Sequence, residues 1–101
     1  MTKYHAIKTV IDGITFASKA EAARYNELKL LERSGEIDSL ILQPVFPIAV
    51  NDKKICKYIA DFSYYAGKKN IIEDVKGMKT PVYRIKKKLV EAIYGIEITE
   101  V

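Results

Sequence analysis

The stretch that most constrains the fold is residues 58–76, YIADFSYYAGKKNIIEDVK. Two runs of β-branched and aromatic residues flank a short AGKK segment, which is typical of a β-hairpin with its turn near Gly67. A two-residue loop there places Asp61 directly opposite Asp74 on the neighbouring strand. Because side chains alternate along a strand, Lys76 shares the face of Asp74. The sequence therefore predicts that Asp61, Asp74 and Lys76 reach one surface.

Two opposed carboxylates are unfavourable by themselves, because directly opposite Cβ atoms lie only about 5 Å apart. At an effective dielectric constant of about 20 their repulsion is roughly 3 kcal/mol. A divalent cation reverses that sign, and Mg²⁺ is commonly held by one or two carboxylates, waters and substrate phosphates. Asp is also depleted in strands. The pair predicts a site for Mg²⁺ or Mn²⁺, although Asp61 as an exposed strand residue, Asp74 as a strand end and Lys76 as a counter-charge form a purely structural alternative.

The composition sets the limits of the function. The 101 residues make a single domain, and 49% hydrophobic with 30% charged residues excludes a disordered chain. A net charge of +4 and a pI near 9.1 fit a polyanionic partner. One cysteine excludes an internal disulfide, and one histidine excludes a His/Cys zinc cluster. No apolar run approaches the length of a membrane span and no signal-peptide pattern opens the chain, so we expect a cytoplasmic protein without membrane contact.

The N-terminal part predicts a hairpin and then a helix. Residues 5–16 contain the Asp12-Gly13 pair between apolar stretches, which is a strong hairpin signal. A run of strong helix formers follows Ser18 and stops at Gly35. Ser18 and Glu21 match the S-x-x-E capping box, in which each side chain satisfies the other's backbone N–H group.

Glu21 has a second interpretation beside this capping role. It shares a helix face with Tyr25 and Leu28 at i, i+4 and i+7 spacing. A carboxylate at the start of a packed face can point toward the end of the sheet, where it would join the acidic pair. The sequence leaves both interpretations open.

The middle of the chain, residues 37–50, is apolar and contains Pro44 and Pro47, which predicts an edge or bent strand. Gln43 interrupts the apolar run. Its amide is a candidate for holding a water or a phosphate oxygen, and an ordinary bond to the backbone explains it equally well.

A second helix begins at Thr80 and Pro81 and stops before Gly95. Its spacing predicts a buried apolar stripe made of Val82, Ile85, Leu89, Ala92 and Ile93. Its basic residues form either a solvated face or a surface that follows a nucleic-acid backbone together with a lysine just before the helix. The members of this set are Lys79, Arg84, Lys86, Lys87 and Lys88, of which Lys86 lies at the edge of the apolar stripe. The alternating IEITEV segment predicts a last strand.

This order of elements resembles the PD-(D/E)xK nuclease superfamily, whose core is a mixed sheet flanked by helices. The chain also resembles a phage-borne family of small proteins known as a domain of unknown function. The motifs are FxSKxEAxRY, LQPxF, YxADFxY and EDVKG, which stand here at Phe16–Tyr25, Leu42–Phe46, Tyr58–Tyr64 and Glu73–Gly77. The expected fold is therefore α/β (α+β), a restriction-endonuclease-like core with a mixed central β-sheet, two flanking helices and an N-terminal β-hairpin.

The resemblance implies a Mg²⁺- or Mn²⁺-dependent endonuclease that hydrolyses phosphodiester bonds in DNA. Asp61 matches the first metal-binding aspartate, although Ala60 stands where the motif has proline, and Asp74 with Lys76 matches the (D/E)xK half. Asp74 fills the D/E position because only it lies two residues before the lysine. Glu21 resembles a helix-borne glutamate that binds a metal water or a second ion. We expect the carbonyl of a residue such as Val75 to complete the ligands, and Lys76 to orient the attacking water.

By analogy, we also expect a homodimer that acts on branched DNA or recombination intermediates in phage DNA metabolism, in the cytoplasm of a bacterial host. Two alternatives remain open. One is a nucleic-acid-binding module with a nuclease-like fold and no turnover. The other is an interaction protein of phage replication or packaging in which the acidic pair is structural.

Overall fold

The computed structural model of the protein describes residues 8–75 and 79–101. Two short strands, β1 (Thr9–Ile11) and β2 (Ile14–Phe16), precede the first helix, α1 (Lys19–Arg33). The remaining elements are β3 (Asp38–Leu42), β4 (Val45–Val50), β5 (Lys53–Ile59), β6 (Phe62–Ala66), β7 (Lys69–Asp74), α2 (Pro81–Tyr94) and β8 (Ile98–Glu100). This is an α+β fold, as the sequence predicted.

The central sheet contains four strands in the order β3-β6-β7-β8. The first three are antiparallel neighbours, whereas β8 runs parallel to β7, so the sheet is mixed. In the β6–β7 hairpin Phe62 lies opposite Glu73 and Ala66 lies opposite Lys69, which leaves a two-residue loop containing Gly67. Gly67 has a φ of +65°, a conformation that favours glycine. The predicted register of this hairpin is confirmed.

The two helices pack on opposite faces of this sheet. Phe62 and Tyr64 of β6 contact buried residues of α1, among them Leu28. On the other face Ile72 of β7 packs with Val90 of α2. Leu28 and Val90 are fully buried, and each such side chain stabilises the fold by roughly 1.5–3 kcal/mol. The expected mixed sheet between two helices is therefore confirmed.

Local chemistry sets the helix starts. The hydroxyl of Ser18 accepts a hydrogen bond of 3.1 Å from the Glu21 N–H group, and Thr80 caps the Tyr83 N–H group in the same way. These bonds satisfy amides that have no partner inside the helix. Gly95 ends α2 with a left-handed φ of +64°. All of these boundaries were predicted.

The N-terminal hairpin is also present. Val10 lies opposite Thr15, and the turn between the strands has positive φ values of 53° at Asp12 and 75° at Gly13. Such values belong to the two-residue turns whose twist matches paired strands. The Tyr25 hydroxyl of α1 donates to Asp12 Oδ2 over 2.9 Å, which ties this hairpin to the helix.

Residues 37–50 form two strands rather than the one that was predicted. The chain bends at Gln43, which has a φ of +52°, and at Pro44. Beyond the bend β4 pairs with β5, and among the strands of the described residues the two form a separate antiparallel ribbon. A matching bend at Asp61 separates β5 from β6, so Asp61 lies between strands and not within one.

The predicted buried stripe of α2 is wrong except at Leu89, which packs against the core. Val82 and Ile85 are 61% and 59% exposed, and the buried residues of the helix are Tyr83 and Val90. The physical reason is the size and chemistry of Tyr83. Its ring packs near Tyr58 of β5, and its hydroxyl donates to Glu100 Oε2 over 2.7 Å, so the helix is rotated to bury this ring.

Candidate functional site

A cavity of about 140 Å³ opens where β2, the start of α1 and the two bends meet. Three of the predicted site residues line it, namely Glu21, Gln43 and Asp61. The rest of its wall consists of Ile14, Thr15, Phe16, Leu42 and Phe62. The fold thus brings two carboxylates and one amide, which are distant along the chain, to one largely apolar wall.

Asp61 is held by three hydrogen bonds at the bend between β5 and β6. Its N–H group donates to the Glu73 carbonyl over 3.1 Å, and its own carbonyl accepts from the Gln43 N–H group over 3.0 Å. The Oδ2 atom accepts from the Val75 N–H group over 2.7 Å. These bonds fix both the backbone and the carboxylate of Asp61, and they connect it to the end of β7.

Gln43 takes a backbone conformation that is uncommon for its type. A φ of +52° directly before Pro44 lies in the left-handed region, where residues other than glycine carry strain. Two bonds hold the bend in place, from Gln43 N–H to the Asp61 carbonyl and from Ala60 N–H to the Pro44 carbonyl over 3.1 Å. The bond from Gln43 N–H to the Asp61 carbonyl therefore positions two residues of the cavity relative to each other.

Glu21 lies in the first turn of α1 and is partly buried. The hydroxyl half of the predicted capping box is present, because Ser18 accepts from the Glu21 N–H group. One turn later Arg24 fixes the helix to β7, with Nε donating to Glu73 Oε1 over 2.8 Å and Nη2 donating to Oε2 over 2.6 Å. The Tyr64 hydroxyl donates to the same carboxylate. Glu21 is thus carried on a helix that a buried ion pair anchors to the sheet.

Sequence reasoning missed this Arg24–Glu73–Tyr64 network. The two charged partners are 49 residues apart in the chain, so no local pattern connects them. A usable signal did exist: once the hairpin register is set, Glu73 falls on the same face as Tyr64, the face that packs on α1. A glutamate that is 1% exposed on that face requires a cation from the helix.

The electrostatics of the network follow from burial and charge. The bidentate hydrogen bonds to Glu73 raise the pKa of Arg24 above its usual range. Burial first, and then the hydrogen bond to Glu73, raise the pKa of Tyr64 to about 12. Arg24 is therefore a permanent cation and Tyr64 a neutral donor at physiological pH.

Asp74 is the last residue of β7 and is completely buried. In the parallel pair it lies opposite Glu100 of β8, and its carbonyl accepts from the Val101 N–H group over 3.0 Å. Burial, the hydrogen bond to Glu100 and the nearby charge of Asp74 together raise the pKa of Tyr83. Asp74 is not among the residues that line the cavity, although the next residue, Val75, binds the Asp61 carboxylate.

The predicted ligands do not form a closed metal cage. Within residues 8–75 and 79–101, no group of three or more His, Cys, Asp or Glu side chains could hold a metal ion. The cavity itself offers the carboxylates of Glu21 and Asp61 and the amide of Gln43. This all-oxygen set fits Mg²⁺, which keeps several waters and takes only one or two protein carboxylates. Lys76, the predicted catalytic lysine, lies outside the described residues.

Four of the predicted nucleic-acid-binding residues line one depression beside Glu100, namely Lys79, Arg84, Lys87 and Lys88. Two of the four are partly neutralised: Lys79 Nζ lies 3.0 Å from Glu100 Oε1, and Lys87 Nζ lies 3.5 Å from Glu91 Oε2. Lys86 is partly buried and does not line this depression. Because Glu100 pairs with Asp74, the depression adjoins the buried end of β7.

Fold and site together define a small α+β domain with an oxygen-rich cavity at one end of a mixed sheet. The chain matches the family model described as "Protein of unknown function (DUF1064)" over residues 1–99, and it belongs to that family. The predicted membership in a family of unknown function is thereby confirmed. No curated protein and no solved structure matches the chain. No helix in the described part of the chain is long and apolar enough to span a membrane.

Proposed function

We propose that the protein is a metal-dependent endonuclease of the PD-(D/E)xK type that hydrolyses phosphodiester bonds in DNA. The observation that carries the proposal is the convergence of Glu21, Gln43 and Asp61 on one cavity, next to the strand that ends in Asp74. A mixed sheet between two helices is the core of that superfamily, and the fold supports the proposal to that extent.

Each residue has a role that suits its position. Glu21 and Asp61 would hold Mg²⁺ or Mn²⁺ from the cavity wall. Asp74, which does not line the cavity, and the Val75 carbonyl are assigned to the ion by the resemblance alone. When bound, the ion would act as a Lewis acid at the scissile phosphate and lower the pKa of a bound water. The hydrogen bond from Val75 N–H keeps one oxygen of Asp61 oriented before any ligand arrives. Gln43 supplies an amide to a water or a phosphate oxygen, and Lys76 is assigned to the attacking water or the developing charge.

The direct test is cleavage of linear, branched and single-stranded DNA in the presence of Mg²⁺ or Mn²⁺. We expect Asp61→Asn and Asp74→Asn to reduce cleavage by roughly 10²–10³-fold, because each removes a carboxylate that the proposal assigns to the metal ion. Asp38→Asn is the matched control, since Asp38 is exposed and pairs with Tyr65 near the turn end of the hairpin. Undiminished cleavage by both site variants would contradict the assignment.

One observation favours a second candidate, a nucleic-acid-binding module without turnover. Four basic residues away from the cavity, namely Lys79, Arg84, Lys87 and Lys88, line one depression that could contact a nucleic-acid backbone without any chemistry. Titration of Mn²⁺ against thermal unfolding separates the two, because an ion that binds only the native state raises the melting temperature. A shift that Asp61→Asn abolishes supports the nuclease, and DNA binding with no shift supports the module.

The biological setting belongs to the same proposal. A phage-encoded protein in the bacterial cytoplasm would meet branched DNA and recombination intermediates. A homodimer would supply two cavities for two strands, and sedimentation of the protein with and without a four-way junction tests this stoichiometry. Phage replication or packaging without hydrolysis is the alternative setting for a chain of this fold.

A further inference from the structure

The β4–β5 ribbon begins at the candidate site. At its base, Gln43 N–H donates to the Asp61 carbonyl and Ala60 N–H donates to the Pro44 carbonyl. At its tip, Asn51 and Asp52 turn the chain with φ values of 50° and 64°. A six-residue strand such as β4 is roughly 20 Å long. The ribbon is therefore an arm whose two ends are the cavity and a tight turn.

The inner face of the arm is buried against α2. Ile48 and Tyr58 point to this side and are almost inaccessible to solvent. The Tyr94 hydroxyl of α2 also donates to the Pro47 carbonyl over 2.7 Å. These contacts hold the arm to the body of the protein, so its direction is fixed.

The outer face is exposed along its whole length. Pro47 and Ala49 flank the buried Ile48 on β4, and so they point away from α2. Their partners on β5 are Lys57 and Lys54, which share this face. Val45 and Ile59 form a further opposed pair at the end next to the cavity, and both are about half exposed.

The charge of the arm is nearly all positive. Residues 45–59 contain Lys53, Lys54 and Lys57 and a single acid, Asp52. Within the described residues none of the three lysines forms an ion pair. This differs from the depression of α2, where Glu100 and Glu91 compensate two of the lysines. Uncompensated cations on an exposed ribbon attract a polyanion.

We infer that the outer face of the β4–β5 ribbon is the surface that holds duplex DNA. A two-stranded ribbon has the width that the major groove of B-DNA admits, and lysines along it reach phosphates on either side. The inference rests on the proposed function and extends it by naming the surface and the duplex form of the substrate. Since the arm starts at the bond between Gln43 and Asp61, a duplex that lies along it brings a phosphate backbone to the cavity.

The test measures duplex binding by fluorescence anisotropy in EDTA, at a series of salt concentrations, so that cleavage plays no part. Each phosphate contact contributes about 0.9 to the slope of log Kobs against log salt. We expect the double variant Lys54→Ala/Lys57→Ala to lower this slope by up to about 1.8 and to weaken binding roughly tenfold or more near 0.1 M salt.

The matched control is Lys68→Ala/Lys69→Ala. It removes the same charge from exposed positions at the turn of the β6–β7 hairpin, roughly 16 Å along β6 from Asp61. All four side chains are exposed, so both double variants should unfold at the wild-type temperature. We expect the control to keep the wild-type salt slope.

Equal binding by the two double variants would overturn the inference, as would a wild type that does not bind duplex DNA. A ribbon variant with normal binding but an altered sedimentation mass would also overturn it, and would assign the face to a second copy of the chain. The proposed function fails separately. If the wild type cleaves no DNA but its duplex binding depends on the ribbon lysines, the arm is supported and the nuclease is contradicted. If the wild type cleaves DNA and the ribbon lysines have no effect on binding, the nuclease is supported and the arm is contradicted.

Discussion

The two sides of the central sheet attach their helices by different means. On the α1 side, the buried Glu73 receives a bidentate pair from Arg24 and a hydroxyl from Tyr64. On the α2 side, apolar and aromatic contacts around Val90 and Tyr83 predominate. A guanidinium–carboxylate fork fixes orientation as well as distance, whereas apolar packing is less directional. The helix that carries a residue of the cavity, Glu21 of α1, is therefore the one held with the stricter geometry.

Arg24→Ala is expected to have the largest effect on the attachment of α1 to the sheet. It leaves Glu73 buried without its cation, and such a loss typically costs about 3–5 kcal/mol. Chemical denaturation of the variant should show this decrease in the free energy of unfolding. Arg33→Ala, an exposed change in the last turn of the same helix, is the control and should stay within about 0.5 kcal/mol. A loss below 1 kcal/mol for Arg24→Ala would mean that α1 is held by its apolar face alone.

The pH dependence of stability also reports on the buried hydroxyl of Tyr64 on the α1 side of the sheet. The pKa of Tyr64 is raised to about 12, above the value of about 10 in the unfolded chain. The protonated hydroxyl therefore stabilises the fold fully below pH 10, and this contribution is lost as the pH rises to 12. A pKa difference of about two units between the folded and unfolded states corresponds to roughly 2–3 kcal/mol of the free energy of unfolding. We expect Tyr64→Phe to flatten the decline measured by urea unfolding between pH 10 and pH 12, and parallel curves for the two proteins would contradict the raised pKa that burial and the Glu73 contact give to Tyr64.

The smallest expected effect concerns the outward face of α2. Ile85→Ser removes an apolar side chain that is 59% exposed, so the free energy of unfolding should change by less than about 0.5 kcal/mol. The comparison variant is Val90→Ala, which truncates a fully buried residue of the same helix and should cost clearly more. Thermal unfolding of both proteins checks the rotation of α2. A larger decrease in stability for Ile85→Ser than for Val90→Ala would mean that α2 buries the face predicted from the sequence.

What the sequence predicted correctly was set by local chemistry. The register of β6 and β7 followed from a two-residue turn at Gly67 and strict alternation, and the helix starts followed from Ser18 and Thr80. These features depend on neighbours within a few residues. Glu21, Gln43 and Asp61 were each named as candidates from the sequence, but the surface that it predicted joined Asp61 to Asp74 and Lys76, whereas the cavity joins Asp61 to Glu21 and Gln43.

What could not be predicted depends on contacts between distant parts of the chain. The bends at Gln43 and Asp61 are joined by a backbone hydrogen bond from Gln43 N–H to the Asp61 carbonyl, and no single segment reveals this contact. The orientation of α2 was wrong because apolar spacing counts Val82 and Ile85 but gives no weight to the hydroxyl that anchors Tyr83. The pair of Arg24 and Glu73 needs the whole fold. For the same reason, the sequence could not show that Asp74 lies outside the lining of the cavity that Glu21 and Asp61 share.

The left-handed backbone of Gln43 has a consequence for how this protein can evolve. Glycine would relieve a conformation that costs a larger residue about 1 kcal/mol, so a lineage selected only for heat resistance would be expected to adopt it. A chain that keeps glutamine here is less stable by that amount and has an amide at the cavity wall. Under the proposed function, members of the family that have glycine at this position should unfold at a higher temperature and cleave DNA more slowly.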